Sequence, residues 1–137
     1  MIQRKQSIYL FLAGLISMLF ASNLNKLVTV NFDFMSDPSK GNTILSLAFF
    51  FSAALSFLAI LMFKNRKLQL ALGWVNILLN IVLIGSFIFF LLNLPGGVSP
   101  EKGIWTIVPL ISIVLLSIAN RLIKKDDDLV KSVDRFR

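Results

Sequence analysis

Long uncharged apolar stretches alternate with short polar or basic clusters along this chain. About 20 helical residues cover the ~30 Å hydrocarbon core of a bilayer, so each stretch is long enough to cross it once. Short connections between such helices favour an antiparallel up-and-down bundle. We therefore predict an all-α membrane protein with one domain over residues 1–137. The four spans are predicted at about residues 7–24, 43–63, 68–92 and 100–123, and a tail follows at 124–137.

The two outer spans contain features that bear on this prediction. The first span follows a short basic segment, which is also typical of a signal peptide, but Leu19-Phe20-Ala21 is a poor cleavage site and favours a retained helix. The triplet Ser99-Pro100-Glu101 has the cap, proline and acid that begin a helix. Pro109, inside the fourth span, is predicted to kink it, because its ring removes a backbone donor.

The loop between the first two spans, residues 23–42, has a different periodicity. Apolar and polar residues alternate strictly over 28–34, which is a β-strand pattern, and residues 37–41 have the composition of a turn that ends it. A lone strand needs a surface to cover its apolar side. We expect either a loop that lies on the membrane or an edge that receives a partner strand.

Composition and charge agree with a bilayer as the solvent. Hydrophobic residues make up 56% of the 137 and charged residues 15%, with a mean hydropathy of +0.80. The net charge of +7 does not predict nucleic-acid binding, because the charges lie between apolar runs. Most of the 14 Lys and Arg residues fall on the side of the two termini, which predicts that both termini are cytoplasmic. These residues are Arg4, Lys5, Lys64, Arg66, Lys67, Arg121, Lys124, Lys125, Lys131, Arg135 and Arg137.

Candidate chemistry is sparse. The chain has no Cys and no His, which excludes thiol nucleophiles, thiolate or imidazole metal ligands and an imidazole base. No ionisable residue lies in the middle of a span, where a proton-coupled transporter needs one. Asp126–Asp128 is the only acid cluster and lacks the spacing of a metal–phosphate site. We therefore expect no enzymatic activity, no cofactor and no metal, and we disfavour a lipid-modifying enzyme.

The third span has polar residues on one face. Gln69, Gly73, Asn76 and Asn80 follow at spacings of four, three and four. A buried Asn amide in hydrocarbon needs a partner, so this face is predicted to contact another helix. Two interpretations stay open: interhelical hydrogen bonding, or a polar path or small-ligand pocket. The candidate partners are Ser52 and Ser56 of the second span or Ser112 and Ser117 of the fourth.

The tail is predicted to form a short amphipathic helix. Three aspartates at 126–128 suit its beginning and basic residues suit its end. Its apolar side would lie on lipid headgroups or dock on a protein. The candidate contact residues are Arg121, Leu129, Val133, Asp134, Arg135 and Phe136, with Val130 on the same apolar side.

The two ends of the chain resemble a known family. Met1-Ile2-Gln3-Arg4 at the start, with Ala119-Asn120-Arg121, Lys124-Lys125-Asp126 and residues 129–137 at the end, looks like the bacterial four-span family described as domain of unknown function 4293. Asp127-Asp128 and Phe136 depart slightly from the Asp-Glu and Leu of that pattern. The resemblance implies a multi-pass protein of the Gram-negative inner membrane and implies no activity.

Two functional hypotheses follow from these features. The first is a non-enzymatic subunit or accessory factor of a larger inner-membrane complex, which contacts the lipid bilayer and a membrane-protein partner. The second is a small channel or transporter with a polar path at Asn76 and Asn80. The sequence leaves homo-oligomerisation and the packing order of the helices open.

Overall fold

The structure is a computed structural model that describes residues 2–27, 38–93 and 103–136. These ranges contain four long helices, each long and apolar enough to cross a membrane, and no strand. The prediction of an all-α protein with four membrane-length helices is therefore confirmed. The strand-like segment 28–34 lies outside the described residues. The helices are α1 (Ile2–Leu27), α2 (Pro38–Leu61), α3 (Arg66–Leu92) and α4 (Ile107–Arg135).

The second helix begins earlier than the sequence suggests. A turn was predicted at residues 37–41, but α2 begins at Pro38 and includes the rest of that segment. Proline is well suited to the first helical position, because its missing N–H would have no intrahelical partner there and its φ is already helical. The turn-forming composition thus marks a helix start.

Pro109 was predicted to kink the fourth span, and in the structure a turn at 105–106, one turn before Pro109, separates the helical residues 103–104 from α4. The fourth helix begins at Ile107, so Pro109 lies in its first turn, where backbone N–H groups have no intrahelical acceptor. The chain before it forms tighter turns, in which the Thr106 N–H donates to the Gly103 carbonyl (3.2 Å) and the Val108 N–H to the Trp105 carbonyl (3.3 Å). The predicted helix start at 99–101 lies outside the described residues.

The tail is a continuation of α4. The sequence predicts a separate helix after residue 123, but the structure has one uninterrupted helix of 29 residues from Ile107 to Arg135. At 1.5 Å per residue it is about 43 Å long, which exceeds the ~30 Å hydrocarbon core. The three aspartates that suit a helix start are therefore inside a helix, where Asp126 and Asp127 form ion pairs.

Each helix packs on its neighbours in the chain, and α4 closes the bundle against α1. As the residue number rises along one helix, the number of the contacting residue falls along its neighbour. Neighbouring helices are therefore antiparallel. Along the α1–α4 contact, Gln6 meets Leu122 and Ser17 meets Ser112. Along α1–α2, the Ser46 hydroxyl donates to the carbonyl of Ala21 at 3.1 Å. The termini thus lie at one end of an up-and-down bundle, which we call the termini end.

The core consists of two apolar clusters. One lies far from the termini and is dominated by the rings of Phe20, Phe49 and Phe87, with Phe20 and Phe49 packed edge to face at 4.9 Å. The other lies near the termini and is aliphatic, with Leu10, Ala13, Ala59, Ile77, Leu116, Ala119 and Ile123. Most buried polar side chains lie between the two clusters, at the middle of the bundle, whereas Gln6, Gln69 and Asn120 are buried nearer the termini end. The outer surface exposes large apolar side chains, such as Val82 and Phe89, that suit contact with lipid.

Candidate functional site

A compact hydrogen-bond network joins α2 to α3 in the middle of the bundle. The Ser52 hydroxyl donates to Asn76 Oδ1 at 2.6 Å. Asn76 Nδ2 donates in return to the Ser52 carbonyl at 3.0 Å and to Ser56 Oγ at 2.8 Å. Asn80 Nδ2 completes the network through Ser52 Oγ (2.9 Å) and Asn76 Oδ1 (3.1 Å). The face predicted on α3 therefore contacts Ser52 and Ser56, and we call these four residues the amide network.

The amide network is buried and uncharged. Asn76 is 1% exposed and Asn80 is 0% exposed, and both serines are buried. Hydrogen bonds between such groups stabilise helix association in a membrane by about 0.6 kcal/mol on average and up to about 2. Carboxylates, thiols and imidazoles are not part of it, so it offers neither a proton-transfer group nor a nucleophile with a shifted pKa. Its hydrogen bonds hold α2 and α3 together.

The serines of the other two helices form a separate pair. Ser17 Oγ of α1 and Ser112 Oγ of α4 lie 3.4 Å apart, and both side chains are buried. Ser112 and Ser117 were the alternative partners predicted for the α3 face. In the structure Ser112 pairs with Ser17, whereas Ser117 is half-buried. Each helix thus contributes at least one buried polar side chain to the middle of the bundle.

Two buried amides have atoms without a hydrogen-bond partner among the described residues. One is Asn80, whose Oδ1 is unpaired, and the other is Asn120 of α4, whose Oδ1 and Nδ2 are both unpaired. Asn120 lies against Gly73 of α3, so close that a β-carbon on Gly73 would overlap its amide. Gln69, one turn before Gly73, is buried as well. The polar face of α3 therefore faces α2 in its middle part and α4 nearer the termini end.

Ionic contacts connect α3, α4 and the tail at the termini end. Arg66 Nη2 lies 3.2 Å from Asp126 Oδ2, and its Nη1 donates to the Asp126 carbonyl at 3.1 Å. One turn apart within the tail, Lys131 Nζ lies 2.6 Å from Asp127 Oδ2. This hydrogen bond lowers the pKa of the Asp127 carboxyl and raises the pKa of the Lys131 ammonium. Both members of the second pair are outside the apolar part of α4.

The predicted tail contacts are exposed. Leu129 is 46% exposed, Val133 61% and Phe136 93%, and the charged side chains of Arg121, Asp134 and Arg135 are also exposed. The tail therefore presents apolar side chains that no described part of this chain covers.

Sequence reasoning did not assign the roles of Gln6, Arg66, Asp126 or Asn120. Gln6 Nε2 donates to the Leu122 carbonyl at 3.0 Å. Gln6 lies near the beginning of α1, where polar residues usually face water. For Asn120, the sequence alone indicates a buried position. It lies between Leu116, Ala119 and Ile123 at helical spacing, which puts its amide on the buried face of α4.

Comparison with known families gives one match. The family model described as "Domain of unknown function (DUF4293)" matches residues 2–136, which confirms the resemblance seen at the two ends. No curated protein and no solved structure matches the chain significantly.

Proposed function

We propose that this chain, which belongs to the DUF4293 family, is a non-enzymatic accessory subunit of a larger membrane assembly and binds its partner through the tail of α4. The observation that carries the proposal is the uninterrupted extension of α4 beyond the bundle, with Leu129, Val133 and Phe136 exposed. An unpaired apolar surface on a soluble segment is typical of an interaction site.

The length of α4 favours a protein, rather than the lipid surface, as what contacts the exposed apolar side chains of the tail. Val133 is ten residues past Ile123, or about 15 Å along the helix axis. The headgroup layer is only about 5–8 Å thick on each side. Even with an ordinary tilt of about 20°, the last turns of a straight α4 extend past the headgroups. A tail that lay flat on lipid would need a break in α4, and the helix is uninterrupted.

The ion pair between Arg66 and Asp126 supports the same conclusion. Its two groups are only 24% and 17% exposed, and Arg66 also binds the Asp126 backbone carbonyl. This double contact fixes the first turn of the tail to the beginning of α3. The exposed side chains beyond it are thus held in a defined direction, which lowers the entropy lost on docking.

The amide network gives less support to the channel alternative. A polar path would require Asn76 and Asn80 to face a water-filled opening, but both side chains are buried. Asn76 bonds to Ser52 and Ser56, and Asn80 bonds to Ser52. Lipid-facing residues surround the bundle. Flux through liposomes that disappears when both asparagines become leucine would restore the channel hypothesis.

The proposed setting is the bacterial inner membrane with both termini in the cytoplasm. The support is the charge distribution, because the basic residues cluster at the termini end of the bundle. On this orientation the partner contributes a cytoplasmic segment with apolar side chains, and with a carboxylate for Arg135.

The test is purification from native membranes in mild detergent, with an affinity tag in the 93–98 loop so that the tail stays free. We expect a stable co-purifying membrane protein. The double variant Val133→Ala/Phe136→Ala should lose it, and Arg121→Ala/Arg135→Ala should weaken it.

The matched control is Val82→Ala/Phe89→Ala, which makes the same changes to exposed residues on the lipid-facing side of α3. If the tail variant retained the partner as the wild type does, the role of the tail would be disproved. A clean 15.4 kDa species or a homo-oligomer from the wild type would contradict the accessory-subunit proposal.

A further inference from the structure

A shallow groove lies on the outer side of α4, where its apolar part ends. Its volume is about 430 Å³, within the ~300–1,000 Å³ of ordinary small-molecule sites. The lining residues follow one face of α4, with three cations, one acid, one hydroxyl and one apolar side chain. They are Arg121, Lys124, Lys125, Asp128, Leu129 and Ser132.

The contacts between helices show at which level of the bundle this groove lies. Gln6 bonds to Leu122, so the exposed Lys5 of α1 lies level with the end of the groove at Arg121. Asp126, in the middle of the groove segment, is paired with Arg66 at the start of α3. The groove is therefore level with the basic beginnings of α1 and α3, which is the level expected of lipid phosphates.

The same face of α4 is apolar on the membrane side of the groove. Leu110 and Val114 are exposed there, and Arg121, Lys125 and Ser132 continue the face at helical spacing. A molecule that contacts the entire face needs acyl chains, then an anionic group and then a polar head. A lipid has these parts in this order, whereas a free anion would use only the middle.

We propose that this groove binds the headgroup of an anionic phospholipid whose head carries hydroxyl groups, as in phosphatidylglycerol. The phosphate lies at Arg121, Lys124 and Lys125, where charge-assisted hydrogen bonds are strongest. The headgroup hydroxyls lie one turn further, at Asp128, and Ser132 lies a second turn beyond Asp128.

The far end of the groove explains the preference for hydroxyls. The Ser132 hydroxyl already donates to the Leu129 carbonyl at 2.7 Å, so its oxygen remains as an acceptor. The Asp128 carboxylate is an acceptor as well. Two acceptors suit a glycerol head that donates hydrogen bonds. A phosphatidylethanolamine headgroup can also donate to Asp128, but its net charge is zero, so it gains less than an anionic headgroup from a groove whose formal charge is positive.

The proposal goes beyond the accessory-subunit function and does not depend on it. It is tested by native mass spectrometry of the purified full chain at low ionic strength, titrated with four lipids of identical acyl chains. The lipids are phosphatidylglycerol, phosphatidylmethanol, phosphatidylethanolamine and phosphatidylcholine. Phosphatidylmethanol has the same charge as phosphatidylglycerol but no headgroup hydroxyl.

We expect phosphatidylglycerol to bind best, phosphatidylmethanol next, and the two zwitterionic lipids weakly. The variant Lys124→Gln/Lys125→Gln should lower the affinity for phosphatidylglycerol by about 30-fold. The control Lys64→Gln/Lys67→Gln removes the same charge from the α2–α3 connection and should lower it by less than about threefold. The variant Asp128→Ala should abolish the preference for phosphatidylglycerol over phosphatidylmethanol.

Each of the following results would overturn one part of this lipid-binding proposal. Equal losses in the two lysine pairs would show general attraction to charge rather than a site. Equal binding of anionic and zwitterionic lipids would disprove the phosphate site. A preference for phosphatidylglycerol that Asp128→Ala leaves unchanged would disprove the role of Asp128. Unchanged thermal unfolding of all variants is the check that these exposed substitutions leave the bundle folded.

Discussion

The side-chain amide of Asn120 in α4 packs directly on Gly73 of α3, in the space that any β-carbon at position 73 would occupy. The absence of a side chain at Gly73 is therefore what allows α3 and α4 to approach at this level. Small residues permit such close approach between membrane helices in general. Here the small residue accommodates an amide from the neighbouring helix, so the two positions are expected to depend on each other.

The first prediction concerns this packing. Gly73→Ala should destabilise the protein by about 1–3 kcal/mol, because the new methyl group and the Asn120 amide require the same space. Asn120→Ala should recover most of the loss in the double variant. The measurement is unfolding in mixed micelles, analysed as a double-mutant cycle.

Gly85 provides the control, because a β-carbon there meets nothing within 4 Å. Gly85→Ala should leave stability unchanged or raise it slightly. Additive effects of Gly73→Ala and Asn120→Ala would show that the two residues do not share space.

The second prediction compares the same substitution at two buried amides. Asn76→Leu should destabilise by about 1–2 kcal/mol, because it removes the partners of Ser52, Ser56 and Asn80. Asn120→Leu keeps the branched shape and removes an amide that has no hydrogen-bond partner among the described residues. It should be neutral or stabilising. Micellar unfolding of the two single variants makes the comparison, and an equal loss in both would mean that the Asn120 amide does have a partner, such as a buried water.

The third prediction concerns the direction of the tail. Arg66→Gln removes the ion pair with Asp126 and weakens the contact with its carbonyl. Amide hydrogen exchange over residues 126–135 should then become about three- to fivefold faster, as expected from losing an interaction of about 0.5–1 kcal/mol. Lys67→Gln removes an exposed charge from the next position and should leave the exchange as in the wild type. Unchanged exchange in Arg66→Gln would show that the ion pair does not hold the tail.

Hydrophobic periodicity predicted the four helices well, because a bilayer requires a long apolar stretch for each span. It also predicted which face of α3 is polar. The choice between Ser52 and Ser112 as the partner of Asn76 depends on how the helices are arranged around the bundle, and spacing within one helix contains no information on that.

Helix boundaries were the weaker part of the prediction, and the reasons are local. Pro38 was interpreted as part of a turn, but it is the first residue of α2, where a proline removes no hydrogen bond. The fourth span was predicted to continue through Pro109, but a turn at 105–106 interrupts it one turn before that proline. The aspartates at 126–128 were interpreted as a helix start because acids suit the positive end of a helix dipole. In the structure Asp126 lies inside α4 and forms an ion pair with Arg66 of α3.

The most direct test of the proposed function is photocrosslinking in native membranes, with a benzoylphenylalanine in place of Val133. The same probe in place of Val82, on the lipid-facing side of α3, is the control. We predict one discrete adduct with a different membrane protein from position 133 and none from position 82. No protein adduct at position 133, or only a dimer of this chain, would contradict the account.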